Sequence, residues 1–216
     1  MRVFLVRHGE TEWNSEGRWQ GQEDICLNER GIEQVNTTAR TLGDLINGRA
    51  TIYTSDLRRA KQTAEILGKE LQIVPIEDRA LRECDFGLWN GMTLDEIKRG
   101  CYKAFYRWVY TPEAEVEKTE SLNAVQKRAY TSFTNITRSH YQNETIVIVS
   151  HALWIKVLIC KILGSEPNNY YKIELDNGSF AIAELHDRGY WKLDCLNISP
   201  RFWIMWGRER ESQCNP

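Results

Sequence analysis

At 216 residues, 42% hydrophobic and 27% charged, the chain is long enough for one large domain with a substantial core. A formal net charge of −2 leaves no basic face of the kind nucleic-acid binding asks for. No apolar stretch nears the ~20 residues of a membrane span. The N-terminal apolar run is too short for a signal-peptide core, so the expected compartment is cytoplasmic. Six scattered cysteines without a Cys-x-x-Cys pair read as free, mostly buried thiols. Four histidines without ligand-like spacing argue against zinc, so neither metal nor cofactor is expected.

The run Val3-Phe4-Leu5-Val6 has the composition of a strand buried on both faces, and it stops at Arg7-His8-Gly9-Glu10-Thr11. A cation and an imidazole therefore sit at the carboxyl end of a strand, where open α/β sheets bind ligands. Trp13 to Asn28 reads as loop. Asn14, Gln20 and Gly21 within it are either donors to an anion near His8 or ordinary turn chemistry. Glu29 to Ile46 has helical spacing, Thr51-Ile52-Tyr53 is a short strand, and Thr54-Ser55-Asp56 is a good N-cap cluster. Arg58 falls in the first turn of the next helix, where the dipole disfavours a cation and a bound anion would compensate. Arg59 reads as its solvated neighbour.

Ile73 to Ile76 reads as a third strand, leading into a tight loop from Leu81 to Gly91 in which Glu83 and Asp85 both have the chemistry of a proton donor. Thr93 caps a helix through Trp108, whose aromatic stripe reads as core or lid packing. Glu120-Ser121 opens another helix. Thr145 to Val149 is the clearest buried strand, ending at Ser150-His151-Ala152 before the apolar helix Leu153 to Leu163. Ser179 to Leu185 and Tyr190 to Leu196 read as a closing hairpin, with His140 and His186 as surface residues. Strands alternating with helices predict an α/β fold, a three-layer α/β/α sandwich with a mostly parallel sheet. Two strand-end histidines with Arg7, Arg58 and Glu83 surround a site for a tetrahedral dianion. Neutral His8 can attack phosphorus there through a ring nitrogen.

Leu5 to Thr11, the segment from Gln20 to Gly31, Ser55 to Ala64, Leu81 to Gly91 and Val149-Ser150-His151 together resemble the histidine phosphatase (phosphoglycerate mutase-like) superfamily. The likeness runs in the family's order from about residue 1 to about residue 185. It implies His8 as a nucleophile forming a phosphohistidine, with Arg7, Arg58 and His151 clamping the phosphoryl oxygens. It implies that Glu83 protonates the leaving oxygen and then takes a proton from the attacking water. Asn14, Gln20, Gly21 and Ala152 match positions lining the phosphate or substrate pocket, and no metal or cofactor is implied. Cys26 stands where the family often has proline. Ala152-Leu153-Trp154 stand where glycine-rich residues are common, and Trp154 is expected to face the core.

Mutase members carry a longer insertion after the glutamate, so the compact aromatic segment here favours a phosphomonoesterase acting on a small phosphorylated metabolite. The alternatives are mutase-type phosphoryl transfer and a non-catalytic phospho-ligand-binding protein. The expected layout is a catalytic domain over 1–198, with 84–144 as a helical cap, and a tail over 199–216 whose apolar cluster hints at a homodimer. The expected partner is a small phosphomonoester, with no nucleic acid and no membrane.

Overall fold

The computed structural model describes residues 1–46, 48–116, 118–141 and 144–200. At the centre of its sheet, β1 (Arg2–Arg7) runs parallel to β4 (Thr145–Ser150), with Arg7 opposite Ser150. β2 (Ala50–Thr54) and β3 (Ile76–Glu77) extend the parallel part beyond β4. On the far side of β1 the hairpin of β5 (Phe180–Leu185) and β6 (Trp191–Ile198) adds antiparallel, giving the order β3-β2-β4-β1-β5-β6.

Side chains of the central strands alternate between two cores. Phe4, Val6, Val147 and Val149 pack with α2 (Glu29–Leu45) and α3 (Arg58–Leu71). Val3, Leu5, Ile146 and Ile148 pack with α4 (Leu94–Tyr110), α5 (Leu122–Arg138) and α6 (Ala152–Ile162). The result is the expected three-layer sandwich. Parallel strands end together at one edge, so Arg7-His8 after β1 and His151 after β4 become neighbours.

Several local expectations change. The third strand keeps only Ile76 and Glu77: Gln72 ends α3 in the left-handed region, Ile73 N–H returns to Gly68 O (2.9 Å), and Pro75 has no N–H to give. Residues 12–15 form a single helical turn, α1 (Glu12–Ser15), because Thr11 and Asn14 cap each other reciprocally. Thr54-Ser55-Asp56 supplies no cap; Leu57 holds that position, while Asp56 accepts two bonds from Arg82 at 2.7 and 2.6 Å. His140 is not a solvated surface residue, since Tyr53 Oη lies 2.9 Å from its Nε2 and Glu144 lies 2.7 Å from its Nδ1. Of the thiols, Cys84 and Cys160 are buried, Cys26 is exposed, Cys101 and Cys195 are partly buried, and Cys214 lies outside the described residues. The tail from 201 to 216, with the apolar cluster on which association was expected, also lies outside them. Among the described residues no helix is long and apolar enough to cross a membrane.

One close approach fixes the loop after β1. A Cβ on Gly31 would stand 2.1 Å from Glu10 O, so α2 starts hard against the backbone that follows His8. Gly31→Ala is accordingly expected to destabilise the fold by about 2–3 kcal/mol, measurable as a lowered urea midpoint.

Candidate active site

A cavity of about 220 Å³ opens over the carboxyl ends of β1 and β4. Its walls include Arg7, His8, Glu83, Asn14, Gln20 and Gly21, and Ala152 borders it from the start of α6. His8 is 3% exposed. Its Nδ1 lies 2.7 Å from Gly9 O, and a carbonyl can only accept, so Nδ1 carries the ring proton. Nε2 is then the nitrogen with a free lone pair. Burial first, then Arg59 and Arg7, hold the imidazole well below its usual 6.5, in the neutral form a nucleophile needs.

His151 is fully buried, its ring centroid 5.1 Å from that of His8. It stands behind the cavity wall and meets the site through Arg59, whose Nε donates to His151 Nδ1 at 3.2 Å. A guanidinium can only donate, so His151 Nδ1 is bare and its Nε2–H donates to Ser55 Oγ at 2.9 Å. Burial, Arg59 and His8, in that order, keep His151 neutral as well.

The structure corrects two predicted residues: His151, expected to clamp phosphoryl oxygens, has both ring nitrogens engaged behind the wall, and Arg58 lies outside the cavity. Arg58 has a side chain 61% exposed, pairs with Asp24 at 3.8 Å, and borders a separate surface hollow with Cys26, Lys61 and Glu65. The anion expected to compensate it is Asp24 itself, whose Oδ1 accepts from Arg58 N–H at 2.7 Å. Arg59, read from sequence as the solvated partner, is fully buried and lines the cavity. Its Nη1 donates to Glu23 O (2.6 Å) and its Nη2 to Gly21 O (2.7 Å), which pins the Gln20-Gly21 loop over the site. Gly21 is required there: its φ is +50°, and a Cβ would stand 2.0 Å from Asn90 Oδ1.

Arg7 donates from Nη1 to Leu175 O at 2.6 Å, while its buried Nε has no partner among the described residues. Burial lowers the pKa of both guanidiniums, that of Arg59 to about 10; a guanidinium keeps its charge near neutrality by its own chemistry. Glu83, the one carboxylate on the wall, accepts from Cys84 N–H (2.9 Å) and Trp154 N–H (3.1 Å) at Oε1 and from Leu153 N–H (3.2 Å) at Oε2. The first turn of α6 thus fixes the orientation of its carboxyl group. Trp154 itself faces the core, as expected, with Nε1 donating to Ala80 O at 2.8 Å.

Lys156, one turn along α6 from Ala152, also lines the cavity and was not foreseen. Burial, then Arg7, lowers its pKa, and no carboxylate forms an ion pair with it among the described residues. Arg18 lines the cavity too, paired with Glu16 at 2.6 Å, so with Arg7, Arg59 and Lys156 the wall holds four cations against one carboxylate, a lining that favours an anion. Trp19, Phe86 and Trp108, with ring centroids 4.6 to 5.9 Å apart, form an apolar wall as well as core packing. Among the described residues no group of three His, Cys, Asp or Glu side chains is placed to hold a metal ion.

The sequence profile of the histidine phosphatase superfamily (branch 1) matches residues 3–199. Phosphoserine phosphatase 1 of Hydrogenobacter thermophilus is 32% identical over 189 residues, covering 87% of this chain and 88% of that one. A probable phosphoglycerate mutase GpmB of Cronobacter sakazakii is 33% identical over 184 residues, covering 84% of this chain and 83% of that one. Among solved structures, a mycobacterial glucosyl-3-phosphoglycerate phosphatase complexed with VO3 superposes with a TM-score of 0.82 at 29% identity, covering 92% of this chain and 99% of that one.

Proposed function

The chain belongs to the histidine phosphatase superfamily and is a phosphoric monoester hydrolase acting on a small phosphorylated metabolite, and we propose that it works through a phosphohistidine on His8. The observation that carries the intermediate is the locked ring: Nδ1 is committed to Gly9 O, so Nε2 stands as a lone pair in a cavity lined by guanidiniums. Nε2 attacks phosphorus, the P–O bond to the leaving alcohol breaks, and Glu83 gives that oxygen its proton. The resulting Glu83 carboxylate takes a proton from water as the water attacks phosphorus and the N–P bond breaks. Arg7 and Arg59 stay fixed and charged throughout, stabilising oxygens whose negative charge moves between donor and acceptor.

Phosphohistidine survives alkali and hydrolyses in acid. Alkaline quenching of the enzyme during turnover of a ³²P-labelled phosphomonoester is expected to leave label on the protein that acid removes. Label that resists acid, or label still found on a His8→Asn variant, would rule the intermediate out.

Lys156 supports a finer proposal, that the substrate carries a second anionic group on its alcohol portion. Phosphoserine and glucosyl-3-phosphoglycerate, the substrates in the names of two similar proteins, are both phosphate esters of carboxylic acids. A charge-assisted hydrogen bond contributes about 1.5–3 kcal/mol, so Lys156→Met is expected to raise KM for phosphoserine or 3-phosphoglycerate by about 10–100-fold. KM for p-nitrophenyl phosphate should change by less than about threefold, and equal changes for both esters would remove the proposal. Product analysis with 3-phosphoglycerate also tests the mutase alternative: free phosphate means hydrolysis, 2-phosphoglycerate means transfer.

A further inference from the structure

Glu83 must meet a leaving oxygen to within a few tenths of an ångström, yet it sits between two short 3₁₀ turns, Arg79–Leu81 and Gly87–Trp89, in no regular element. The first turn of α6 fixes its carboxyl group, but the loop's own backbone needs another hold. Gln22 Nε2 donates to Glu83 O (3.2 Å), Ser150 Oγ to Leu81 O (2.7 Å) and Trp154 Nε1 to Ala80 O (2.8 Å), one bond each, whereas one side chain in the helical layer holds three of the loop's carbonyls at once.

Arg128 of α5 donates from Nη1 to Ala80 O (2.9 Å) and Arg82 O (2.7 Å), and from Nη2 to Glu83 O (3.2 Å). Glu120 takes the remaining donors, Oε1 from Arg128 Nε at 3.0 Å and Oε2 from Nη2 at 2.8 Å. All five N–H groups of the guanidinium are thereby engaged. Glu120 is itself tied to the loop beyond the acid, since its N–H donates to Asp85 O at 2.7 Å and its Oε2 accepts from Asp85 N–H at 3.3 Å. Its carbonyl accepts from Trp108 Nε1 at 2.9 Å, joining the clamp to the apolar wall of the cavity. Arg128 does not line the cavity.

We propose that Arg128, oriented by Glu120, is the positioning residue of the acid Glu83, acting by holding the carbonyls on and before Glu83 in place. This inference rests on the reading of Glu83 as the proton donor, and the test separates the two. An aryl phosphate with an acidic phenol departs without a proton, whereas an alkyl phosphate needs one. Single-turnover release of the alcohol is therefore compared for p-nitrophenyl phosphate and an alkyl phosphate in Arg128→Lys, Glu120→Gln and, as the reference, Glu83→Gln.

Arg128→Lys keeps the charge but cannot reach three carbonyls in a fixed plane. It is expected to slow alkyl-ester cleavage by about 100-fold and aryl-ester cleavage by less than about threefold, in the same sense as Glu83→Gln. Glu120→Gln should show the same selectivity at about 10-fold on the alkyl ester, and it carries the test if Arg128→Lys fails to fold. A role in stability alone would slow both esters alike or neither; either result, with Glu83→Gln still selective, overturns the positioning role. Equal slowing of both esters by Glu83→Gln would remove the acid assignment, and this inference with it.

Discussion

Arg59→Met is expected to lower kcat/KM for p-nitrophenyl phosphate by about 10³, while Arg58→Met changes it by less than about threefold. Two adjacent arginines make the contrast a sharp one. Arg58 is exposed and answered by Asp24, a pairing that solvent screens. Arg59 has no exposure, and its fork simultaneously holds Gly21 O, Glu23 O and His151 Nδ1. Losing it removes a fixed charge beside the transferring phosphoryl group and releases the loop of Gln20 and Gly21. Arg59→Lys is no remedy, because an ammonium cannot hold two carbonyls, an imidazole and a phosphoryl oxygen in one plane; a loss of about 10² is expected. Steady-state kinetics on the three variants decides it. A larger loss in Arg58→Met than in Arg59→Met would return the role to the residue first chosen from sequence.

The choice between these two arginines is legible in the periodicity of the helix that carries them. Along α3 the buried positions are 59, 60, 63, 64, 67 and 68, and the exposed ones include 58, 61, 65 and 69. Arg58 thus shares the polar face with Lys61 and Glu65, whereas Arg59 lies one turn before Thr63 on the apolar face. A cation on the buried stripe is the anomaly, and helix periodicity points to it directly. The helix dipole does call for an anion beside Arg58, but the chain itself supplies it: Asp24 lies far back in the loop, and no local pattern joins the two.

Strand-end histidines were readable for a general reason. Val3 to Val6 and Ile146 to Val149 are apolar on both faces, which places them centrally in the sheet, and adjacent parallel strands bring their ends together. Lys156 and Arg128 were not readable in the same way. Lys156 and Lys161 are the two cations of an otherwise apolar helix, and which of them meets the cavity depends on how α6 rotates against the sheet. Arg128 spends its donors on three main-chain carbonyls and on Glu120, and carbonyls leave no trace in a sequence. The aromatic segment before it was legible as packing; that Trp108 also walls the cavity depends on its packing against Phe86 in the loop after Glu83.

His8→Asn is expected to abolish turnover, by at least about 10⁴-fold, and to change how the folded protein responds to acid. Folded His8 and His151 both have pKa values well below 6.5, whereas the unfolded chain titrates each near that value. Below 6.5 the unfolded state therefore binds protons that the folded state refuses, so stability is full above 6.5 and falls as the pH drops toward the folded values. Each histidine contributes up to about 1.4 kcal/mol per pH unit in that window, about 2.7 kcal/mol for the pair. Removing His8 should halve the slope, seen as a shallower fall of the urea midpoint between pH 6.5 and 5. An unchanged slope would mean that His8 is protonated in the folded protein, and a protonated Nε2 has no lone pair for phosphorus. Burial, and then the two guanidiniums proposed to receive the phosphoryl group, thus keep the proposed acceptor neutral, at a cost in acid stability that a bound anion would offset.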